Sequence, residues 1–459
     1  MSRATRESIR IGSQECPPSP CRPGSRRFSD IARAALAVPL LGGCGGPKAG
    51  VSDTPPLPPA RPGVYSDIAP RFSHDGRRIA FLRTTPDRRL QLFVADAGLD
   101  RATALLEPEL VCPDRPYWAQ RTRYASPDGL AWSPNDRRLA FSRVEWFQFD
   151  DGQRLPGTGI WSFDLRSGRV SAIALHPKRY ANLYYYYHSP SWSPDGRYVA
   201  FVAEGLNGQH ALGIRCAGVE MPKEVAPRFD NYASSDWPSW RPAPAQLTGL
   251  PTRSPTGPEL AFCQAIFRTQ NVRATATVRT LAPGSADPSS CREALRLTPA
   301  RYASTEGVRR RANPLDVVEP RVSNPVWSPN GRFIACVVSA DTNDPSRSEI
   351  WVTDTQSGAK WRASPIDGRG YAAPVWIGGR QLGALRPRGD RFEAVVLDVS
   401  GGAARSIGPI DTADCDWSPD RSRIVYAVRP TNRANSADDP TTLAVLETHL
   451  SPASASPAL

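Results

Sequence analysis

One block of sequence recurs along the chain and constrains the fold more than any other feature. In its best-preserved copy, residues 190–202 read Pro-Ser-Trp-Ser-Pro-Asp-Gly-Arg-Tyr-Val-Ala-Phe-Val. Pro-Asp-Gly predicts a tight turn, because Pro fixes its own φ and Gly tolerates a positive φ. The apolar run at 198–202 predicts a short and largely buried strand. The block therefore reads as a strand, a turn and a second strand.

Copies of this block can be aligned on the aromatic residue that opens each one. The opening residues are Phe72, Trp132, Trp192, Trp240, Trp327, Trp376 and Trp417. Their spacings are 60, 60, 48, 87, 49 and 41 residues, and the smallest fit one four-stranded propeller blade of about 40–50 residues. Further strand signals follow several copies, at 92–96, 160–164, 350–354 and 394–398. A repeat of this kind predicts a closed ring in which each blade packs on its neighbours.

The fold class predicted from the repeat is all-β, a β-propeller of seven four-stranded blades, with six or eight blades as alternatives. The gap between Trp240 and Trp327 has room for an eighth blade, and six blades remain if the Trp240 copy is not a blade. The run at 443–446 reads as the third strand of the last blade. We expect a strand near 62–68, or a short one near the C-terminus, to complete that blade.

The Trp-Ser-Pro-Asp-Gly-Arg block, with Ile-Trp-Val-Thr-Asp at 350–354, resembles the WD40-like (PD40) repeat of TolB-type β-propellers. The resemblance covers about residues 64–450 and implies the propeller fold. It implies less about function, because propellers serve as scaffolds, ligand binders and enzymes. The TolB family also has a small domain before its propeller, whereas a Pro-rich stretch precedes Tyr65 here.

The N-terminal residues are typical of an exported lipoprotein. Residues 1–30 are polar and Arg-rich, and the apolar run at 31–43 ends in small residues, as in a secretory signal. Leu-Gly-Gly-Cys at 41–44 resembles the lipobox of bacterial lipoproteins, which implies a lipid on Cys44 and a place in the periplasm or cell envelope. The alternative is a disordered N-terminus with an accidental Cys. We expect a signal at 1–44, a Pro-rich tether at 45–63, the propeller at 64–450 and a disordered tail at 451–459.

Composition and motifs argue against several functions. The net charge is +12, but no Lys/Arg run with interleaved aromatics marks a nucleic-acid groove, so we expect a solvated basic surface. Propeller-containing peptidases, which are similar in their repeats, add a catalytic domain with a Gly-x-Ser-x-Gly elbow that this sequence lacks. It also lacks His-Glu-x-x-His and a phosphate-binding Gly-rich loop. We expect no cofactor, no bound metal and a monomer.

Six cysteines follow Cys44, at 112, 216, 263, 291, 336 and 415. An exported protein can form disulfides, and six cysteines allow 15 pairings. Cys263 and Cys291 fall within one predicted blade and are the pair to test. Cys336 lies in a predicted strand and is expected to be a buried thiol.

Long inserts follow second strands, at 143–158, 339–348 and 429–440, or precede a block, at 105–128, 176–188 and 300–323. In a propeller these two connections open on the same face, and we name it the insert face; the Asp-Gly turns open on the other, the turn face. Loops that carry function usually gather in this way. Aromatic residues in these inserts form a candidate binding rim: Tyr180, Tyr184, Tyr185, Tyr186, Tyr187, Trp146 and Phe147. The alternative is that they pack between blades.

Acidic residues just before or within first strands are predicted to line the central channel: Asp67, Asp128, Asp236, Asp414 and Asp416. Such acids can hold a cation, face a substrate or solvate the channel wall. The favoured function is a non-enzymatic, lipid-anchored scaffold that binds a protein, peptide or envelope polymer through its insert face. The alternative is a carbohydrate hydrolase or lyase with acids in the channel. A third possibility is a subunit of an envelope complex similar to TolB.

Overall fold

The structure is a computed structural model that forms 27 strands and contains no helix among the residues it describes. Those residues are 66–84, 89–106, 109–110, 129–148, 154–175, 186–204, 210–216, 233–242, 258–269, 272–281, 292–297, 321–339, 348–389, 391–428 and 442–450.

The strands fall into seven consecutive groups, which we call blades 1 to 7. One parallel pair, Tyr186 with Thr158, joins blades 2 and 3 into a single seven-stranded sheet. Blade 1 contains β1 (Ser66–Phe72), β2 (Arg78–Thr84), β3 (Arg89–Asp96) and β4 (Ala102–Ala104), with the short β5 (Glu109–Leu110) beside β3. Blade 2 contains β6 (Leu130–Trp132), β7 (Arg138–Gln148), β8 (Arg154–Asp164) and β9 (Arg169–Ala174). Blade 3 contains β10 (Tyr186–Trp192), β11 (Tyr198–Glu204) and β12 (His210–Cys216).

The second half of the ring repeats this order. Blade 4 contains β13 (Ala233–Trp240), β14 (Leu260–Thr269), β15 (Val272–Leu281) and β16 (Arg292–Leu297). Blade 5 contains β17 (Arg321–Trp327), β18 (Phe333–Ser339), β19 (Ser348–Asp354) and β20 (Lys360–Arg362). Blade 6 contains β21 (Ala372–Trp376), β22 (Gln381–Arg388), β23 (Arg391–Asp398) and β24 (Arg405–Ile410). Blade 7 contains β25 (Cys415–Trp417), β26 (Arg423–Val428) and β27 (Thr442–Glu447).

Each blade is an antiparallel sheet whose strands lie side by side in chain order. First strands of neighbouring blades contact one another from blade 1 to blade 6, and β1 also contacts the strands of blade 7. Ala373 of β21 and Cys415 of β25 pack against one cluster, so the first strands form an inner ring. The predicted seven-bladed all-β propeller is confirmed, and the six- and eight-bladed alternatives are wrong. The prediction that 443–446 lies in a third strand is also confirmed. Residues 66–68 belong to blade 1 rather than blade 7, because they pair with β2.

The Ser-Pro-Asp-Gly turn is held by its own side chains. In blade 3, Ser193 Oγ donates to Asp195 Oδ1 at 2.5 Å and accepts from the Tyr198 amide at 2.9 Å. The same pair of hydrogen bonds occurs at Ser73, Ser133, Ser328 and Ser418. Gly196 has φ +68°, where glycine carries no steric penalty. The recurring motif is therefore explained by turn geometry.

A bulge interrupts the first strand in five blades, two to four residues before the opening aromatic. In blade 3 the pairing of β10 with β11 shifts between His188 and Ser191, and Pro190 lies inside the shift. Equivalent shifts enclose Pro70, Pro238, Pro325 and Pro374. Proline has no amide donor for the ladder, so the strand leaves its register there. Leu130 and Cys415 occupy this position in blades 2 and 7, where the first strands are three residues long and regular.

The hydrophobic core is divided among the junctions between blades. Opening tryptophans reach back to the preceding blade: the indole N–H of Trp132 donates to the Arg71 carbonyl at 2.9 Å, and that of Trp376 donates to the Val326 carbonyl at 3.0 Å. The largest cluster lies between blades 5 and 6, where Phe333 stacks on Trp376 with ring centroids 6.2 Å apart. Packing between consecutive blades therefore builds the ring.

Candidate functional site

The antiparallel pairings fix which connections share a face. Connections from second to third strands, and from the last strand of one blade to the first of the next, leave from the same ends of the strands. The strand ends that flank the predicted inserts accordingly lie on the insert face. Blade 4 differs, because the stretch of chain between β13 and β14 leaves from the turn face.

The longest hairpin of the described chain projects towards the insert face. Its strands β7 and β8 each have 11 residues, whereas β10 and β11 each have 7. Trp146 pairs with Pro156 and Phe147 with Leu155. These pairs lie beyond the residues of the hairpin that pair with β6, β9 and β10. Two of the predicted rim residues thus occupy a protruding ribbon.

The tyrosine run of blade 3 leads into the core. Tyr187 is 6% exposed and packs against Phe201 with ring centroids 5.0 Å apart. Tyr186 begins β10, and Tyr180, Tyr184 and Tyr185 lie outside the described residues. Tyr187 also belongs to a buried cluster with Ile160 and Ile173 of blade 2, so packing between blades accounts for its position.

Asp67 forms a buried ion pair inside blade 1. The guanidinium of Arg83 donates through Nε to Oδ1 at 2.6 Å and through Nη2 to Oδ2 at 2.8 Å. Burial raises the pKa of Asp67, although the hydrogen bonds and charge of Arg83 oppose that rise. A carboxylate held by a bidentate arginine is positioned by its partner, so Asp67 ties β1 to β2.

Asp414 and Asp416 close the ring between blades 7 and 1. Asp414 Oδ2 accepts from the Ala69 amide, and Asp416 Oδ2 accepts from the Phe72 amide, both at 2.8 Å. Ala69 lies in the bulge of β1 and has φ +58°. Burial raises the pKa of Asp416, while the nearby charge of Arg71 opposes the rise. These two carboxylates therefore satisfy backbone donors across the seam.

The turn face contributes a second set of bonds to the same seam. Arg423 of blade 7 donates to the carbonyls of Ala97 at 3.2 Å and Gly76 at 3.0 Å in blade 1. On the other side of blade 1, Asp136 accepts from the amides of His74 and Asp75 at 2.8 Å. The first contact joins the start of β26 to two turns of blade 1, and the second joins a turn of blade 2 to a turn of blade 1.

Two cavities of the described chain lie near the predicted site residues or between blades. One of about 290 Å³ lies beside the inner ring at blades 1 to 3 and includes Arg71 and Trp132. The other, of about 630 Å³, lies between blades 5 and 6. Two of the three arginines that line it, Arg362 and Arg386, form ion pairs with Glu349 and Glu393, so their charge is balanced within the chain.

The structure describes some of the remaining predicted residues, and others lie outside the described part of the chain. Asp236 lies on β13, whereas Asp128, Cys44, Cys112 and Cys291 are outside the described residues. Cys336 is fully buried, as predicted. Among the described residues, no group of His, Cys, Asp or Glu is arranged to hold a metal ion. The described part of the chain also has no helix long and apolar enough to cross a membrane.

The partners that give these acids their roles were not predicted from the sequence. Arg83 lies 16 residues after Asp67, and Ala69 lies 345 residues before Asp414. The bulges did have a signal, because proline occurs two residues before the opening aromatic in the five bulged blades and in neither of the others.

No protein-family model and no curated protein match the chain. Among solved structures, a puromycin-hydrolyzing peptidase from Mycobacterium tuberculosis is similar at 15% identity and TM-score 0.51, over 83% of this chain and 52% of the peptidase. TolB from Acinetobacter baumannii is similar at 17% identity and TM-score 0.38, over 74% and 65% of the two chains. An oligogalacturonate lyase from Vibrio parahaemolyticus is similar at 11% identity and TM-score 0.48, over 86% and 94%.

This chain spans about half the length of the peptidase. At such low identity, the likeness to the peptidase concerns the fold alone, and it agrees with the blade order described above. The chain has the fold of a β-propeller.

Proposed function

We propose that this protein is an exported, lipid-anchored β-propeller that binds a protein, peptide or envelope polymer through its insert face and performs no catalysis. One observation carries the proposal: the channel acids whose side chains are described are bonded within the ring. Asp67 is held by Arg83, and Asp414 and Asp416 accept from backbone amides of β1. A glycosidase needs two carboxyl groups that face the substrate.

The protruding hairpin of blade 2 supports a binding role for the insert face. Aromatic side chains are enriched among the residues that contribute most to binding, and the hairpin contains Trp146 and Phe147. The signal-like N-terminus with Cys44 supports export and lipid anchoring, and the Pro-rich stretch at 45–63 suits a tether that holds the propeller away from a membrane.

The test compares three forms of the full chain in a bacterial host: wild type, W146A/F147A, and H74A as a matched control on the turn face. After chemical cross-linking in membranes, the wild type and H74A should retain the same partner or polymer, and W146A/F147A should lose it. Equal retention by all three forms would contradict the proposed role of the hairpin.

The same preparations test catalysis and anchoring. Incubation with polygalacturonate, peptidoglycan and peptides should give no products by mass spectrometry. Products that D416N no longer releases would favour the enzyme. Metabolic labelling with an alkyne fatty acid should mark the wild type and leave C44S unmarked, and label on C44S would contradict the predicted anchor.

A further inference from the structure

The outer edge of blade 7 differs from that of every other blade. Third strands are covered by β4, β9, β16, β20 and β24 in blades 1, 2, 4, 5 and 6, whereas no described strand pairs with the outer edge of β27. In blade 6 the six central residues of the third strand, β23, are buried. Those of β27 are half-buried and both its ends are exposed, although its centre reads Leu-Ala-Val-Leu.

Blade 3 shows that blade 7 differs from the other blades in more than the lack of a described fourth strand. Its third strand, β12, is also the last described strand of its sheet. Leu212 and Ile214 are nevertheless 1% and 0% exposed. An apolar third strand whose central residues are all only half-buried is therefore particular to blade 7 within the described chain.

The backbone groups on the open edge can be identified from the ladder. On β26, the Arg423 carbonyl and the Ala427 amide bond towards β25. Since bonding direction alternates along a strand, residues 424, 426 and 428 face β27, where they pair with 446, 444 and 442. The amides and carbonyls of Leu443, Val445 and Glu447 consequently face outward.

Apolar side chains flank this edge on both sides. Leu443 belongs to a cluster with Ala104 of blade 1, and Leu446 belongs to one with Ile407 of blade 6. A strand added to β27 would lie between these two neighbours, with alternate side chains directed towards each blade. The place therefore suits an extended segment with apolar residues on both of its faces.

The flanking sequence of this chain is poorly suited to fill the place. A strand on β27 must present an amide at every second residue, and proline has none. Residues 55–63 have prolines at 55, 56, 58, 59 and 62, and residues 451–459 have them at 452 and 457, so both alternating sets are interrupted in each stretch. Residues 453–456 are only Ala and Ser.

We infer that β27 is a docking edge for an extended segment of another polypeptide, which adds to blade 7 as its fourth strand. Strand addition of this kind derives affinity from backbone hydrogen bonds and specificity from alternate side chains. The surface lies on the outer rim, so its use does not depend on the insert face.

The test uses hydrogen exchange on the full chain with a defined probe. The probe is a peptide that copies residues 166–175, which include β9, the strand at this place in blade 2. The control peptide has proline in place of Ser171 and Ala172, which removes a donor from each alternating set. The inward amides of 442, 444 and 446 serve as an internal control.

In the free protein, the amides of Leu443, Val445 and Glu447 should exchange at least about tenfold faster than the inward ones. The β9 peptide should slow them by about tenfold or more, and the proline peptide should not. Equal protection of all six amides before the peptide is added would overturn the inference, because the chain itself would then cover the edge. Outward amides that stay fast with the β9 peptide would overturn it too.

Discussion

Two contacts between neighbouring blades differ in chemistry. These are the junction between blades 5 and 6 and the seam between blades 7 and 1. The first buries a cluster of 12 apolar or aromatic residues. At the seam, one cluster has three buried residues, Phe72, Ile79 and Val425, and charged side chains bond to backbone groups. Blades 5 and 6 share an extensive apolar core, whereas the two ends of the ring are joined by a smaller apolar cluster together with directional bonds.

The difference shows how a ring of repeats is closed. Apolar contacts are non-directional and tolerate small changes in the angle between blades. The hydrogen bonds that Asp414 and Asp416 accept require particular amides of β1 at 2.8 Å. A polar seam therefore fixes the position at which the last blade meets the first.

We expect the largest effect on stability from a change in the apolar junction between blades 5 and 6. Replacing Trp376, which is 3% exposed, with Ala should lower the free energy of unfolding by about 3–5 kcal/mol, because it leaves a cavity and removes the bond to Val326. Urea denaturation measures the change. I366A is the matched control, since Ile366 is 79% exposed. A loss of similar size in both variants would contradict the role given to the core.

A smaller effect is expected at the polar seam. D414A should lower the free energy of unfolding by about 1–3 kcal/mol, because it leaves the Ala69 amide without its acceptor. Limited proteolysis should then cut first near β1 or β25. D414N keeps a side-chain oxygen and should lose less. Equal losses in D414A and D414N would point to charge, rather than the hydrogen bond, as the stabilising feature.

The smallest expected effect is on the pH dependence of stability. It has opposite signs for Asp354 in blade 5 and Asp416 in blade 7. Burial alone would raise the pKa of Asp354, but hydrogen bonds from Arg332, Gln356 and Ser357 outweigh it and lower that pKa to about 2. Its stabilisation is present above pH 3.8 and is lost on acidification, by about 1 kcal/mol at pH 3. Asp416 has a raised pKa, so lowering the pH through that pKa towards 3.8 adds stability.

Urea titrations of D354N and D416N between pH 7 and pH 3 measure both effects. The stability difference between wild type and D354N should shrink as the pH falls, and the difference between wild type and D416N should grow. Parallel changes in the two differences would mean that one of the two carboxylates is in a different environment.

The repeat made the fold predictable from the sequence. The roles of the acidic residues could not be predicted in the same way. Each Ser-Pro-Asp-Gly copy contains the side chains that hold its own turn, so a local motif predicts a local structure. The partners of Asp414 and Asp416 are backbone amides more than 340 residues away in the chain. Sequence can place these acids near the channel, but it does not say which donors they meet.

The prolines of the first strands have a consequence for solubility. Each first strand is an edge of its sheet, except that β10 also pairs with β8 at Tyr186. An open edge is a template for aggregation unless it is very short, bulged or interrupted by proline. Five inner edges have a bulge with a proline, and the other two are three residues long. All seven are thereby blunted against intermolecular pairing. The regular six-residue edge of β27 has none of these protections.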